Sequence, residues 1–132
     1  MAKEKILIIE DNAANMELFN DLLEVEGYSV LQAFNGKDGL DITKSEIPDL
    51  ILLDPGLPDI GGVEIIRKFK EDPRTKDIIL IVCTASVMEE ERKAITDAGC
   101  DGFIAKPIDT REFVKTITRL LKDLKKRGKK EV

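Results

Sequence analysis

The chain has 132 residues, 42% apolar and 36% charged, which suits one small domain with one core. It contains no histidine, which excludes a Ser-His-Asp triad, an H-E-x-x-H zinc site, a histidine general base and a phosphohistidine of its own. The net charge of −5 argues against a nucleic-acid binder, no run approaches a membrane span and residues 1–9 lack a signal-peptide cleavage pattern, so a cytoplasmic location is expected.

In chain order, "KILII" (5–9) reads as a first strand. A helix follows, with Asn12 as its N-cap and Leu18, Phe19, Leu22 and Leu23 at helical spacing, and Gly27 stops it. "YSVLQA" (28–33) is a second strand and Gly36 to Ser45 a short helix. "LILL" (50–53) is a third strand, and Val63 to Glu71 a helix that ends near Pro73. "IILIVC" (78–83) is a fourth strand. The segment 87–98 is helical by propensity, but "EEERK" leaves it only Val87, Ala94, Ile95 and Ala98 to bury. "GFIA" (102–105) is a fifth strand. The last helix starts with Thr110 as N-cap and aligns Phe113, Ile117, Leu120, Leu121 and Leu124 on one face. The domain is expected over residues 1–125, with a basic, solvated tail over 126–132. Cys83 and Cys100 are expected to be free, buried thiols.

Strands alternating with helices across short connections give an α/β fold: a five-stranded parallel sheet with helices on both faces. The third and fourth strands are almost continuously apolar, as central strands covered on both faces are. The flavodoxin-like order 2-1-3-4-5 is the common solution at this size, and it places the ligand site beyond the carboxyl ends of the strands.

Those ends carry chemistry. Glu10-Asp11 follows the first strand, Asp54 the third, Thr84-Ala85-Ser86 the fourth and Lys106-Pro107 the fifth. Singly, each has an ordinary explanation as a helix cap, a turn residue, a strand-end hydroxyl or a surface lysine. Together they line one edge of the sheet. Three clustered carboxylates repel, and a hard divalent cation such as Mg²⁺ relieves the repulsion with oxygen ligands. Gly56, just past Asp54, lets the backbone turn and offer a carbonyl. Lys106 cannot ligate a cation, but it can hold an anion beside Asp54 at roughly 4 kcal/mol for unit charges ~4 Å apart in a dielectric near 20. Phosphoryl transfer onto a carboxylate fits this set, with Asp54 as the nucleophile.

The motifs "IIEDN", "LLDPGLPDIGG", "CTA" and "FIAKP", in this order, resemble a response-regulator receiver domain over residues 3 to 125. The resemblance implies Mg²⁺ bound by Asp11, Asp54 and the Gly56 carbonyl, with Glu10 acting through water. It implies the Thr84 hydroxyl and the backbone N–H groups of Gly56 and Ala85 on the phosphoryl group, a cis bond at Lys106-Pro107, and a switch aromatic at Phe103 that turns inward with Thr84. The expected function is a two-component signalling receiver that accepts a phosphoryl group on Asp54. The donor would be a phosphohistidine of a histidine kinase or histidine phosphotransfer protein, and a downstream protein target would read the result. The chain would then be a stoichiometric phosphoacceptor rather than an enzyme. "EDNAANMELF", with Asn12 and Asn15, is similar to receivers of phosphorelays and leans toward a relay or single-domain regulator.

Two alternatives differ in class. A small Mg²⁺-dependent phosphatase with an aspartyl nucleophile wants a second acid two residues on, where this chain has Gly56, and there is no insertion large enough for a substrate cap. A receiver used only for docking would not need the acid pair, Asp54, Thr84 and Lys106 together. A flavin or dinucleotide protein is disfavoured, since neither G-x-G-x-x-G nor a P-loop occurs.

Overall fold

The structure, a computed structural model, describes residues 4–85 and 88–130, with side chains as far as residue 124. The expectations for Ser86, for Val87 and for the tail side chains from residue 125 onward lie outside what is described.

The elements alternate: β1 (Lys5–Ile9), α1 (Ala13–Val25), β2 (Ser29–Ala33), α2 (Gly36–Glu46), β3 (Leu50–Leu53), α3 (Gly62–Glu71), β4 (Ile79–Thr84), α4 (Glu89–Ala98), β5 (Gly102–Ala105) and α5 (Thr110–Lys130). All strand pairs are parallel and the order is β2-β1-β3-β4-β5, the solution expected as the common one at this size. The register sets Ile9 beside Leu53 and Leu53 beside Val82, so β1 and β3 finish level with one another and β4 runs on to Thr84.

Alternation along each strand divides the core in two. Ile6 and Ile8, Leu50 and Leu52, and Ile79, Ile81 and Cys83 face α1 and α5, where Phe19 and Phe113 stack with ring centroids 5.2 Å apart. Leu7 and Ile9, Ile51 and Leu53, and Leu80 and Val82 face the other way, against Ile65, Ile66 and Phe69 of α3 and Ile95 of α4. The β3 residues are essentially inaccessible to solvent. Full burial of a Leu or Ile side chain is worth about 1.5–3 kcal/mol, so β3 is a rigid mount for whatever follows it. α2 approaches β1 closely at Gly39, where a Cβ would lie 2.5 Å from Ile9 Cδ1.

The structure corrects three local expectations. Leu18 is not part of the buried stripe of α1; it is 39% exposed, and Met16, Phe19 and Leu23 are the buried set. The helix turns 100° per residue, which carries position 18 off the face that Phe19 and Leu23 share. α5 is capped one residue earlier than Thr110. The Asp109 carboxylate accepts from Arg111 N–H at 2.9 Å, and the Asp109 carbonyl accepts from Phe113 N–H at 2.9 Å, which makes Thr110 the first helical residue. In α4, Ala94 is exposed; Ile95 is buried and Ala98 half-buried.

Candidate functional site

Three of the chemistry-bearing residues extend their strands by one ladder bond. Glu10 N–H donates to Ala33 O, Asp54 N–H to Ile9 O and Lys106 N–H to Thr84 O, each at 3.0 Å. Their backbones are therefore as fixed as the sheet itself, while their side chains project past its edge. The chain crosses from β5 into the loop before α5 through a cis peptide bond at Lys106-Pro107, as expected.

The side chains meet. Glu10 is 1% exposed, and its Oε1 accepts from Lys106 Nζ at 2.7 Å while Oε2 accepts from Asn12 N–H at 3.1 Å. Asn15 Nδ2 approaches Glu10 Oε1 at 3.5 Å. Asp54 is half-buried; its Oδ2 accepts from Lys106 Nζ at 3.3 Å and its Oδ1 from Gly56 N–H at 2.9 Å. Lys106 thus bridges two carboxylates that would otherwise face each other across the crevice. Asp11 is exposed at the mouth.

Burial raises the Glu10 pKa, and this outweighs the pull of Lys106 and of Asn12 N–H in the other direction. Burial also acts to lower the Lys106 pKa, but the Glu10 and Asp54 carboxylates win and the ammonium is held charged. Beneath them Cys83 is a free thiol whose pKa burial pushes up to about 12. Cys100 is also free and is half-buried rather than buried.

One carboxylate oxygen each from Glu10, Asp11 and Asp54 can lie within 4.8 Å of the others. Three carboxylates against one ammonium leave a local charge of −2 on hard oxygen donors, and this donor set fits a hard divalent cation. The other wall is a crevice of about 500 Å³ lined by Asp54, Gly56, Thr84, Ala85 and Lys106, which reaches Ile95 of α4. Thr84 is the last residue of β4 and half-buried; Ala85 is exposed. Phe103 is half-buried on β5, next to Val82 in register, and the Arg92 guanidinium stands 4.7 Å over its ring.

Among the described residues, those singled out for the site therefore lie at this sheet edge, with Phe103 set back on β5, three residues before Lys106. Sequence reasoning named Asn12 as the N-cap of α1 but missed its bond to Glu10, and it missed two further contributors, Arg92 and Asp59. Asn12 serves Glu10 through its backbone while its side chain caps α1 by accepting from Asn15 N–H at 2.9 Å. Arg92 covers Phe103. Asp59, in the loop after Asp54, accepts from the first N–H groups of α2. The spacing of Asn12 two residues after Glu10 could have been read as a turn that bonds the carboxylate. The other two contacts join distant segments and leave no local pattern.

Comparison with known proteins agrees with this geometry. Residues 6–118 match the response regulator receiver domain family. The chain is 38% identical to the polar-differentiation response regulator DivK of Brucella anthropi over 120 residues, which is 91% of this chain and 98% of that protein. It superposes on a CheY-like response regulator receiver domain protein from Methanospirillum hungatei with a TM-score of 0.87 and 31% identity, covering 96% of this chain and all of the other. The receiver domain of a Pseudomonas aeruginosa sensor histidine kinase, whose crystal structure has a magnesium ion in its active site cleft, superposes with a TM-score of 0.83 and 26% identity, covering 91% of this chain and 98% of that one.

Proposed function

The chain belongs to the response-regulator receiver domain family, and from that premise we propose that it is a cytoplasmic phosphoacceptor of two-component signalling that takes a phosphoryl group on Asp54 and switches its protein contacts. The observation that carries this reading is the placement of Asp54. Its carboxylate is fixed at the end of a buried strand, within reach of two further carboxylates and 3.3 Å from Lys106 Nζ.

The transfer is a substitution at phosphorus. An Asp54 carboxylate oxygen forms the new O–P bond, the P–N bond of a phosphohistidine breaks, and the imidazole leaves with the bonding electron pair. This chain has no histidine, so the donor lies on a partner, a histidine kinase or a histidine phosphotransfer protein. Mg²⁺, held by Asp11, Asp54 and the Gly56 carbonyl with Glu10 through water, would supply neutralisation of the phosphoryl charge. Gly56 N–H, now donating to Asp54 Oδ1, and Ala85 N–H would donate to the phosphoryl oxygens; both residues line the crevice beside Asp54. The Thr84 hydroxyl takes a third oxygen. Lys106 transfers its pairing from Asp54 to the phosphoryl group. The chain is consumed stoichiometrically, and the same residues promote loss of the phosphoryl group to water. Thr84 and Phe103 carry the change to α4, β5 and α5, the face a downstream protein reads.

Intact mass after incubation with Mg²⁺ and acetyl phosphate tests the chemistry. One added phosphoryl group, absent when Mg²⁺ is chelated and absent in Asp54→Asn, is the expected result. An unchanged mass under conditions that label a known receiver would overturn the reading.

A further inference from the structure

Asp59 lies in the loop that runs from Asp54 to α3, yet its carboxylate serves another element. Asp59 Oδ1 accepts from Gly36 N–H at 2.8 Å and Oδ2 from Lys37 N–H at 3.0 Å, the first two N–H groups of α2. The Asn35 side chain takes the third, Asp38 N–H, at 2.8 Å. N–H groups in the first turn of a helix have no intrahelical acceptor, and the partial positive charge there favours a carboxylate. The Gly36 and Lys37 N–H groups accordingly hold the Asp59 carboxyl below its ordinary range. The fit is close: a Cβ at the buried Gly36 would stand 3.1 Å from Ile60 Cβ and 3.2 Å from Asp59 Oδ1.

Two other anchors hold the same loop. Leu57 is 8% exposed and belongs to the core on the α3 side. Gly62 lets the start of α3 pass against Pro55, since a Cβ there would lie 2.7 Å from Pro55 Cβ. Leu57 and Gly62 hold the loop inward and at its end. Asp59 ties it sideways, by two hydrogen bonds to a helix that belongs to a different βα unit. α2 does not need its cap from so far away, because Asn35 shows that a local side chain can do it.

We propose that Asp59 is a positioning residue: by seating on the N-terminus of α2 it fixes the 54–61 loop and so holds the Gly56 backbone where metal and phosphoryl group require it. The inference rests on the function proposed above and adds a residue that touches neither ligand. Asp59 is exposed, so its substitution leaves the core intact.

The test is a Mg²⁺ titration followed by amide NMR shifts of Asp11 and Gly56, in wild type, Asp59→Ala, Asp59→Asn and Asn35→Ala. Asp59→Ala should weaken Mg²⁺ binding by about 10-fold, the low end for residues that orient a ligand from behind. It should also shift the Gly56 amide in the metal-free protein. Asp59→Asn keeps one acceptor oxygen and should fall between. Asn35→Ala loosens the same helix end without touching the loop; Asp38 N–H should exchange faster while Mg²⁺ affinity stays at the wild-type value. Wild-type affinity and Gly56 shifts in Asp59→Ala would reduce Asp59 to a helix cap and overturn the proposal. Equal weakening by Asn35→Ala would do the same, by assigning the effect to α2 rather than to the loop. A wild-type protein that shows no Mg²⁺-dependent shifts would overturn the proposed function, and this inference with it.

Discussion

Lys106 Nζ sits 2.7 Å from Glu10 Oε1 and 3.3 Å from Asp54 Oδ2, so in the resting protein the lysine is held more tightly by the buried acid than by the phosphoacceptor. Glu10 is inaccessible, and Lys106 is the cation among its hydrogen-bond partners. Removing the cation leaves a buried carboxylate with neutral donors alone, Asn12 N–H and Asn15 Nδ2. Lys106→Ala should therefore cost stability as well as signalling, roughly 3 kcal/mol at neutral pH, the low end for a broken buried pair. The penalty should shrink at acid pH, where Glu10 takes up a proton and the stranded charge disappears. Adding Glu10→Gln to Lys106→Ala should restore most of the loss. Urea midpoints for the single and double variants check it; a double variant no more stable than Lys106→Ala would sink the account. In the same variant phosphoryl uptake should survive better than the response to it, because the lysine reads the charge while Asp54 makes the bond.

Asp54→Asn should abolish phosphoryl uptake and leave the fold unchanged. The amide is nearly isosteric and its Oδ1 can still accept from Gly56 N–H, but it is not a competent nucleophile. The measurement is intact mass with Mg²⁺ and acetyl phosphate, alongside a thermal melt. Equal, Mg²⁺-dependent labelling of the variant would place the acceptor on another residue.

The strands, the helices and the meeting of the charged strand ends at one sheet edge were legible because they follow from period and position, whereas the strand order was an expectation from size. Four apolar residues at 50–53 between turn signals make a buried strand, and a buried strand in a parallel sheet delivers its next residue, Asp54, to the functional edge. Leu18 was misplaced because a run of leucines satisfies more than one helical phase, and only packing against β1 and α5 chooses among them. Thr110 reads as a cap by its residue type, and Asp109 beside it caps equally well, so only the backbone bonds decide between them. Asp59 and Arg92 were invisible for a different reason. Their partners, Gly36 and Lys37 in one case and Phe103 in the other, are set by tertiary approach and not by spacing.

Cys83 gives a pH dependence. Burial is the main cause of its pKa near 12; Lys106 opposes the shift, and Glu10 and Asp54 reinforce it. An unfolded thiol titrates near 8.5. Between about pH 8.5 and 12 the unfolded chain has therefore released a proton that the folded chain retains, so stability falls as pH rises, by up to about 1.4 kcal/mol per unit from this group. Cys83→Ala lacks the group. Its stability deficit relative to wild type, measured by urea unfolding, should narrow steadily above about pH 9. Parallel curves for the two proteins up to about pH 11 would mean that Cys83 does not carry this term.

The last prediction concerns where the signal emerges. α4 has one fully buried residue, Ile95, and that residue lines the crevice beside Thr84 and Lys106. After the helix, Asp101 N–H donates to Leu80 O at 2.7 Å and the Asp101 carboxylate accepts from Leu80 N–H at 2.8 Å and from Lys70 Nζ at 3.4 Å. At the start of the helix, Glu89, Glu90 and Glu91 are exposed, and Glu91 lines the same crevice as Thr84. A pull on Thr84 thus acts at the end away from Asp101, about which the helix would pivot. Inward rotation of Phe103 would give up the Arg92 contact, a cost of only about 0.5–1 kcal/mol at an exposed site. Reversing a two-state population from about 1:99 to 99:1 needs roughly 5.5 kcal/mol, which a hydrogen bond to a charged group and an ion pair in a partly dry crevice can together approach. Phosphorylation should therefore bias an existing equilibrium of residues 84–106 and leave α2 nearly unchanged. Hydrogen exchange with and without a beryllofluoride mimic should show its largest changes over 88–95, falling off toward Asp101. Changes confined to α1 and α2, or a maximum at Asp101, would refute the pivot and move the output surface elsewhere.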